Sequence, residues 1–397
     1  MVSTAPLELK HRDLGFTAHN QIRLIRGGAD YFKNIEELIG MARHTIHLQV
    51  YIFEYDETGR RILQALERAA ERKINVFLVL DGYASRHFNE DAILRLQACG
   101  IKFRWFEPLI RTRSFYFGRR LHHKVIVVDG RYAMIGGINI GNRYNKYNSD
   151  PPWLDWAVRF EGEAATEAHF RCLEIWPSKE VAKMPVVPIF HVNGNGRPDC
   201  LIRLRVNDWV TNRHQITRSY LELMHRVQKE AILLCSYFIP GHLFRNHLLK
   251  ALKRGVKVKL ILTGRSDVTF AKPAEEFLYP WLLRHGVEIY EHHRTMVHGK
   301  LAVFDQQWVT IGSYNINDIS RYASIELNAD IRNPDFGQTV SQTLNALIKQ
   351  ECLRVDPKDY VRKIYWWTTL QQRLSYEIVR LMVWMFTFYF KKPGSSF

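Results

Sequence analysis

The sequence is short of cysteine and of long apolar runs. Its five cysteines, Cys99, Cys172, Cys200, Cys235 and Cys352, are odd in number, and no two stand at CxxC spacing. That argues against a disulfide framework and a zinc-ribbon site, and points to buried free thiols in a reducing compartment. No stretch reaches the roughly 20 apolar residues that a spanning helix needs. Residues 1–13 are polar, with no apolar core of signal-peptide length. Acidic residues are also scarce: 40 Asp and Glu stand against 56 Lys and Arg, a formal charge of +16 over 397 residues. An anionic partner follows, either nucleic acid or an anionic membrane surface. With 46% hydrophobic and 24% charged residues, whole-chain disorder, collagen and coiled coil are excluded. The length favours two domains.

What is present is a repeat. Residues 38–82 hold IHLQVYIF, ILQALERAAERK and INVFLVLDG; residues 226–264 hold AILLCSYFI, LLKALKRG and VKVKLILTG. Each set is an apolar run, an amphipathic helical pattern and a second apolar run, which predicts βαβ units around a mostly parallel sheet. Both halves continue with a helix, a glycine stop (Gly100, Gly286) and another strand. A period of about 180 residues is too long for a solenoid and marks a duplicated domain. The expected organisation is α/β: a first lobe over 15–176, a linker over 177–200 rich in Pro, Gly and Asn, a second lobe over 201–355, and a distinct tail over 356–397.

The chemistry-bearing motif also occurs twice. The first copy is His122-His123-Lys124, Asp129 and Gly136-Gly137-Ile138-Asn139; the second is His298-Gly299-Lys300, Asp305 and Gly312-Ser313-Tyr314-Asn315. HHKVIVVD and HGKLAVFD read as strands, so each His shares a face with the Lys two residues on. Asp129 and Asp305 fall on the other face or in the turn, which suits a structural role. A two- or four-residue hairpin loop would put His122 on one face with Gly137 and Asn139, and His298 with Ser313 and Asn315. His, Lys and Asn beside small residues suit an anionic tetrahedral group, with fixed charge from the Lys and donors from the amide. A Lys two residues from each His would repel a cation, so neither a metal nor any other cofactor is expected.

The paired motifs resemble the HKD motifs of the phospholipase D superfamily, over roughly residues 20–350. ARHTIHLQVYIF, HHKVIVVDGRYAMIGGINI, DWAVRFEG, SYFIPG and MVHGKLAVFDQQWVTIGSYNI are similar to bacterial cardiolipin synthases of the B type, which lack N-terminal membrane spans. The resemblance implies two α/β lobes, each a mixed sheet flanked by helices, sharing one active site that contains His122, Lys124, Asp129, His298, Lys300 and Asp305. It implies that Glu326 orients His122 and Asp155 orients His298, each across the lobe boundary, with Asn139, Asn315, Gly137 and Ser313 in support. It further implies transfer of a phosphatidyl group through a phosphohistidine, with His122 as nucleophile and phosphatidylglycerol as donor. Arg143 fits an arginine frequent after the first motif, whereas Ile319 stands at the equivalent place in the second, and Ser324 replaces a frequent Asn. A phospholipase D-type hydrolase of phospholipid or nucleic acid is the alternative enzyme, although the tail makes nucleic acid the lesser expectation. A homodimer stays open.

Two segments suit a membrane surface, and the implied location is peripheral or monotopic on the cytoplasmic side of a bacterial inner membrane. Arg111, Arg113, Arg119 and Arg120 flank Phe115, Tyr116 and Phe117, a basic aromatic wedge. The tail carries seven Lys/Arg against two Asp/Glu over 357–397, with Trp366, Trp367, Trp384 and Phe386. Its ten-residue apolar run, Leu381 to Phe390, would extend about 15 Å as helix. Such a helix lies in the interface, or packs on the protein's own core.

Overall fold

The computed structural model describes residues 15–389, apart from 109, 112–113, 116–118, 147–150, 183, 185–199, 212, 318–319, 321–323, 359 and 361–365. In the first lobe the strands are β1 (Asn20–Arg26), β2 (Thr45–Val50), β3 (Asn75–Asp81), β4 (Lys102–Phe106), a ribbon of β5 (Ile110–Arg111) and β6 (Ser114–Phe115), β7 (Arg120–Leu121), β8 (Lys124–Val128), β9 (Tyr132–Gly136) and β10 (Trp156–Gly162). The second lobe has β11 (Leu201–Asp208), β12 (Arg213–His214), β13 (Glu230–Leu234), β14 (Lys257–Thr263), β15 (Glu288–His292), β16 (Leu301–Phe304), β17 (Trp308–Gly312), β18 (Ser324–Arg332) and β19 (Cys352–Arg354).

Strand order displays the duplication. The first sheet runs β1-β10-β9-β8-β2-β3-β4, and the second contains β11-β18-β17-β16-β13-β14-β15 in the same sense. In each, the three strands joined by crossover helices are parallel and the rest antiparallel, so both sheets are mixed. Every residue of β2 is buried, as expected of a central strand covered on both faces. Two of the covering helices start at a side-chain cap. Asp56 accepts the Gly59 N–H at 2.9 Å before α1 (Glu57–Glu71), and Asn333 accepts the Phe336 N–H at 2.8 Å before α2 (Pro334–Glu351). Three apolar clusters result: one under the outer helices of each lobe, and a third between the sheets, where Val125, Val127, Trp156 and Val158 meet Ile232, Leu301, Ile311 and Leu327.

The lobes are stitched by backbone at the motif histidines. β7 lies parallel to the start of β18, and the His122 N–H donates to the Ile325 carbonyl at 2.9 Å. The His298 N–H donates to the Leu154 carbonyl at 2.8 Å. Ile325 and Leu154 directly precede Glu326 and Asp155, so the same contact that joins the lobes sets each histidine beside the other lobe's carboxylate.

The hairpins depart from the expected register. Val128 pairs with Tyr132 and Phe304 with Trp308, leaving three-residue loops, Asp129–Arg131 and Asp305–Gln307. The left-handed backbone at Asp129 (φ 54°) and Gly130 (φ 59°), and at Asp305 (φ 49°) and Gln306 (φ 55°), makes these turns. Lys124 therefore faces Gly136. Gly137, Asn139, Ser313 and Asn315 lie past the strand ends, so strand alternation does not put them on the histidines' face. The linker is described at its start, which includes one helical turn (Ser178–Val181), and at Cys200, whose carbonyl accepts from the Asn20 amide.

Candidate active site

Each motif histidine is held by a buried carboxylate from the opposite lobe. The Nδ1 of His122 lies 2.9 Å from both oxygens of Glu326, and the Nδ1 of His298 lies 2.7 Å from Asp155. Glu326 and Asp155 are 0% and 1% exposed. A carboxylate on Nδ1 fixes the tautomer that leaves the Nε2 lone pair free. The two pairs are not equivalent. Glu326 also accepts hydrogen bonds from the hydroxyls of Ser313 and Ser324, the latter at 2.8 Å. Burial alone would raise its pKa, but the charge and hydrogen bond of His122, Lys124 and Ser313 outweigh burial and hold Glu326 below the ordinary range. Among the described residues, the Asp155 carboxylate accepts the Trp156 N–H, at 2.7 Å, and no other hydrogen bond besides that of His298. Burial there outweighs Lys300 and pushes Asp155 up to about 6.

Gly137 is required by this packing. A Cβ on it would stand 2.6 Å and 2.7 Å from the Asp155 carboxylate oxygens. The second lobe has Ser313 at the equivalent place, where its hydroxyl is a donor to Glu326.

Lys124 and Lys300 are 1% and 2% exposed, and each ammonium bonds back to the carbonyl of its own histidine. Lys300 also donates to Ser236 at 3.0 Å, whereas Lys124 lies over the ring of Tyr51, 5.2 Å from its centroid. Burial, then the charge of Lys300, lowers Lys124 to about 7; burial lowers Lys300 to about 8. The histidines follow suit. Burial and Lys124 bring His122 down against the pull of Glu326, and burial with Lys300, Lys124 and His122 sends His298 well below its usual value. Two imidazoles, each backed by a carboxylate, and two buried lysines thus converge on one place. Among the described residues, no cluster of three or more His, Cys, Asp or Glu side chains is placed to hold a metal ion.

Several expected site residues stand elsewhere. Asp129 and Asp305 do not touch the reacting groups. Asp129 accepts N–H groups from Arg43, His44 and Thr45 at 2.8–2.9 Å, and Asp305 those of Gln228, Lys229 and Glu230 at 2.7–3.0 Å. Each latches a hairpin tip to the chain entering β2 or β13, roughly 16 Å along the strand from the motif lysine. Asn139 does not present its amide freely: its oxygen accepts the Ile52 N–H at 3.2 Å and its nitrogen donates to the Tyr144 hydroxyl at 2.9 Å. Asn315 is buried, and its oxygen has no hydrogen-bond partner among the described residues.

In the basic wedge, Arg119 and Arg120 turn inward rather than outward. Arg119 pairs with Asp208 at 3.1 Å, and Arg120 pairs with Asp81 at 3.5 Å and donates to the Glu107 carbonyl at 2.8 Å. Seated carboxylates compete successfully with water for these two guanidinium groups. Arg111 and Phe115 lie on the β5–β6 ribbon, while Arg113 and Phe117 fall outside the described residues.

The walls of the site were not read from the sequence. The Tyr51 ring meets His122 at 4.8 Å, and the rings of Tyr144 and Trp153 meet His298 at 5.3 Å and 5.8 Å. Trp153 stands two residues before Asp155, which was the one available hint.

The family model described as "Cardiolipin synthase, PLD-like domain" matches residues 35–160 and 220–348, which contain both motifs. The chain belongs to the phospholipase D superfamily. The cardiolipin synthase B proteins of Shigella flexneri and Escherichia coli K12 are each 32% identical to this phospholipase D-like chain over 365 residues, covering 91% of it and 88% of theirs. A cardiolipin synthase 1 of Staphylococcus epidermidis is 28% identical over 87% of the chain and 73% of its own. The crystal structure of a phosphatidylserine synthase from Haemophilus influenzae superposes with a TM-score of 0.73 at 16% identity, over 97% of this chain and 99% of that one. That likeness establishes the shared fold of the phospholipase D lobes.

Proposed function

We propose that the protein is a phosphatidyltransferase that makes cardiolipin from phosphatidylglycerol through a phosphatidyl-histidine intermediate. The observation that carries this is the crossed pairing of His122 with Glu326 and His298 with Asp155 around two buried lysines. The family supplies the substrate class.

The His122 Nε2 attacks phosphorus, and the bond to the glycerol oxygen breaks as His298 delivers a proton to that oxygen. In the second half a hydroxyl of another phosphatidylglycerol gives its proton to His298 while its oxygen attacks phosphorus. The P–N bond breaks, and its electron pair returns to His122. Lys124 and Lys300 offset the phosphoryl charge. His122 is assigned as nucleophile because firmly ionised Glu326 steadies the positive charge that its ring acquires. His298, whose pKa burial and the neighbouring cations depress, takes up its proton when the phosphodiester brings negative charge.

We also read the protein as membrane-peripheral. Among the described residues no helix is long and apolar enough to cross a bilayer. The tail helix α3 (Trp366–Tyr389) seats Gln372, Ser375 and Tyr376 on the second lobe, where the Tyr376 and Phe277 rings lie 5.0 Å apart. Its other face leaves Trp367, Leu370, Leu374, Leu381, Met382 and Met385 exposed, an apolar stripe suited to lipid. The side chains of Trp366, Trp384 and Phe386 lie outside the described residues.

The test is product analysis after incubation with phosphatidylglycerol vesicles. Cardiolipin and glycerol are expected in equal amounts, and a His122→Ala or His298→Ala protein that turned over near the wild-type rate would overturn the mechanism.

A further inference from the structure

The surroundings of the two histidines differ. On the His122 side, the acid–base pair beyond Tyr51 is Arg120–Asp81, with side chains only 11% and 0% exposed. On the His298 side the polar groups are open to solvent and come from both lobes. Arg143 lies over Trp153, 5.3 Å from the ring, and is ion-paired with Glu54; their side chains are 44% and 28% exposed. From the second lobe, the Tyr237 hydroxyl donates to the exposed Asp267. Asp267 is close enough for its charge to act on Arg143, Tyr237 and Lys300, and the Arg143 charge acts on His298. Glu54 and Arg143, through Trp153, and Tyr237 with Asp267 therefore lie on the solvent side of His298.

Two carboxylates beside a phosphodiester site have a restricted chemistry. They repel the phosphate, so what they hold must donate hydrogen bonds. The Lys124, Lys300 and Arg143 cations work against an ammonium at the same place. What remains is a neutral polyol. His298 is the group that exchanges a proton with the leaving and entering alcohols, so the alcohol must lie on this side.

We propose that Glu54, Arg143, Tyr237 and Asp267 form a polyol subsite. It holds the glycerol headgroup that leaves in the first half-reaction and the glycerol hydroxyls of the acceptor in the second. This rests on the phosphatidyltransferase reading, and it assigns acceptor selection to residues outside the repeated motif. A carboxylate has two acceptor oxygens and can take vicinal hydroxyls, while Tyr237 holds the Asp267 carboxylate in place and Arg143 that of Glu54.

The experiment measures how the phosphatidyl-enzyme partitions among acceptors. Wild-type, Glu54→Gln and Asp267→Asn proteins receive phosphatidylglycerol vesicles with deuterated glycerol, 1-propanol and ethanolamine present together. Mass spectrometry reads labelled phosphatidylglycerol, phosphatidylpropanol, phosphatidylethanolamine and phosphatidic acid. Partition ratios are independent of the amount of folded enzyme, so a poorly folding variant still reports. Each substitution is expected to lower the glycerol-to-propanol ratio about 10-fold or more, the effect of losing a hydrogen bond to a charged group. An unchanged glycerol-to-propanol ratio in both variants overturns the proposal, as does a loss confined to phosphatidylethanolamine. Failure of the underlying reading looks different, because the wild type would then yield no phosphatidyl alcohol at all.

Discussion

At the scale of the residue, the site is set by what burial does to charge. Lys124 and Lys300 are brought down to about 7 and about 8 because water is excluded from both, and the charge of Lys300 adds to the effect on Lys124. A protonated lysine attracts the phosphodiester, so both are charged below pH 7 and lose charge as pH rises through these values. The expected profile is a kcat/KM that falls above about pH 7–8. The kcat profile should fall later, because bound phosphate raises both pKa values. Initial rates across pH at low and saturating phosphatidylglycerol separate the two. The orienting carboxylates give a second prediction. Glu326→Gln and Asp155→Asn keep the shape but remove the charge behind each imidazole, and each should lower kcat by roughly 10²- to 10⁴-fold. Circular dichroism should match the wild type; a variant that kept full turnover would remove that carboxylate from the mechanism.

At the scale of the element, the repeated motif divides into parts with different jobs. His and Lys lie at the start of a strand and enter the site, while Asp lies in the turn at its far end. The αL backbone at Asp129 and Asp305 and the three N–H groups each accepts explain the residue type without catalysis. Asp129→Ala or Asp305→Ala should cost about 1.5–3 kcal/mol of stability, as for loss of hydrogen bonds to a charged acceptor. Turnover per folded molecule should persist, and denaturant melts alongside active-site titration check both. Gly137 belongs with the chemistry instead. Gly137→Ala puts a methyl against the Asp155 carboxylate and should displace it from His298. Reduced turnover with a shifted His298 imidazole resonance is the expected outcome. The register at these hairpins was not legible in the sequence, since Asp129-Gly130 suits both two- and three-residue loops and only the partner strand decides. The motif spacing was legible, because it is local.

At the scale of the molecule, the two lobes make one site because each supplies a histidine and the carboxylate for the other lobe's histidine. The tail is an appendage with two faces, one seated on the second lobe and one bare. Replacing Leu374, Leu381 and Met385 together by Ser should weaken sedimentation with anionic vesicles several-fold and leave the helix content intact. Equal vesicle binding by this variant would place the membrane contact elsewhere.

The sequence by itself determined the duplication, the α/β class, the pair of histidines and lysines, and which carboxylates belong with them by family resemblance. All but the carboxylate pairing, which the resemblance alone implied, follow from periodicity and from short motifs, which are properties of neighbouring residues. Only the tertiary structure decided that Arg119 and Arg120 are ion-paired and half-buried rather than offered to lipid, that Asn139 is held by Ile52 and Tyr144, and that Tyr51, Tyr144 and Trp153 wall the histidines. Apart from the Asn139–Tyr144 bond, each of those depends on a partner distant in the chain, from Asp81 for Arg120 to His298 for Tyr144, chosen by how the sheets pack, and no local pattern encodes that choice.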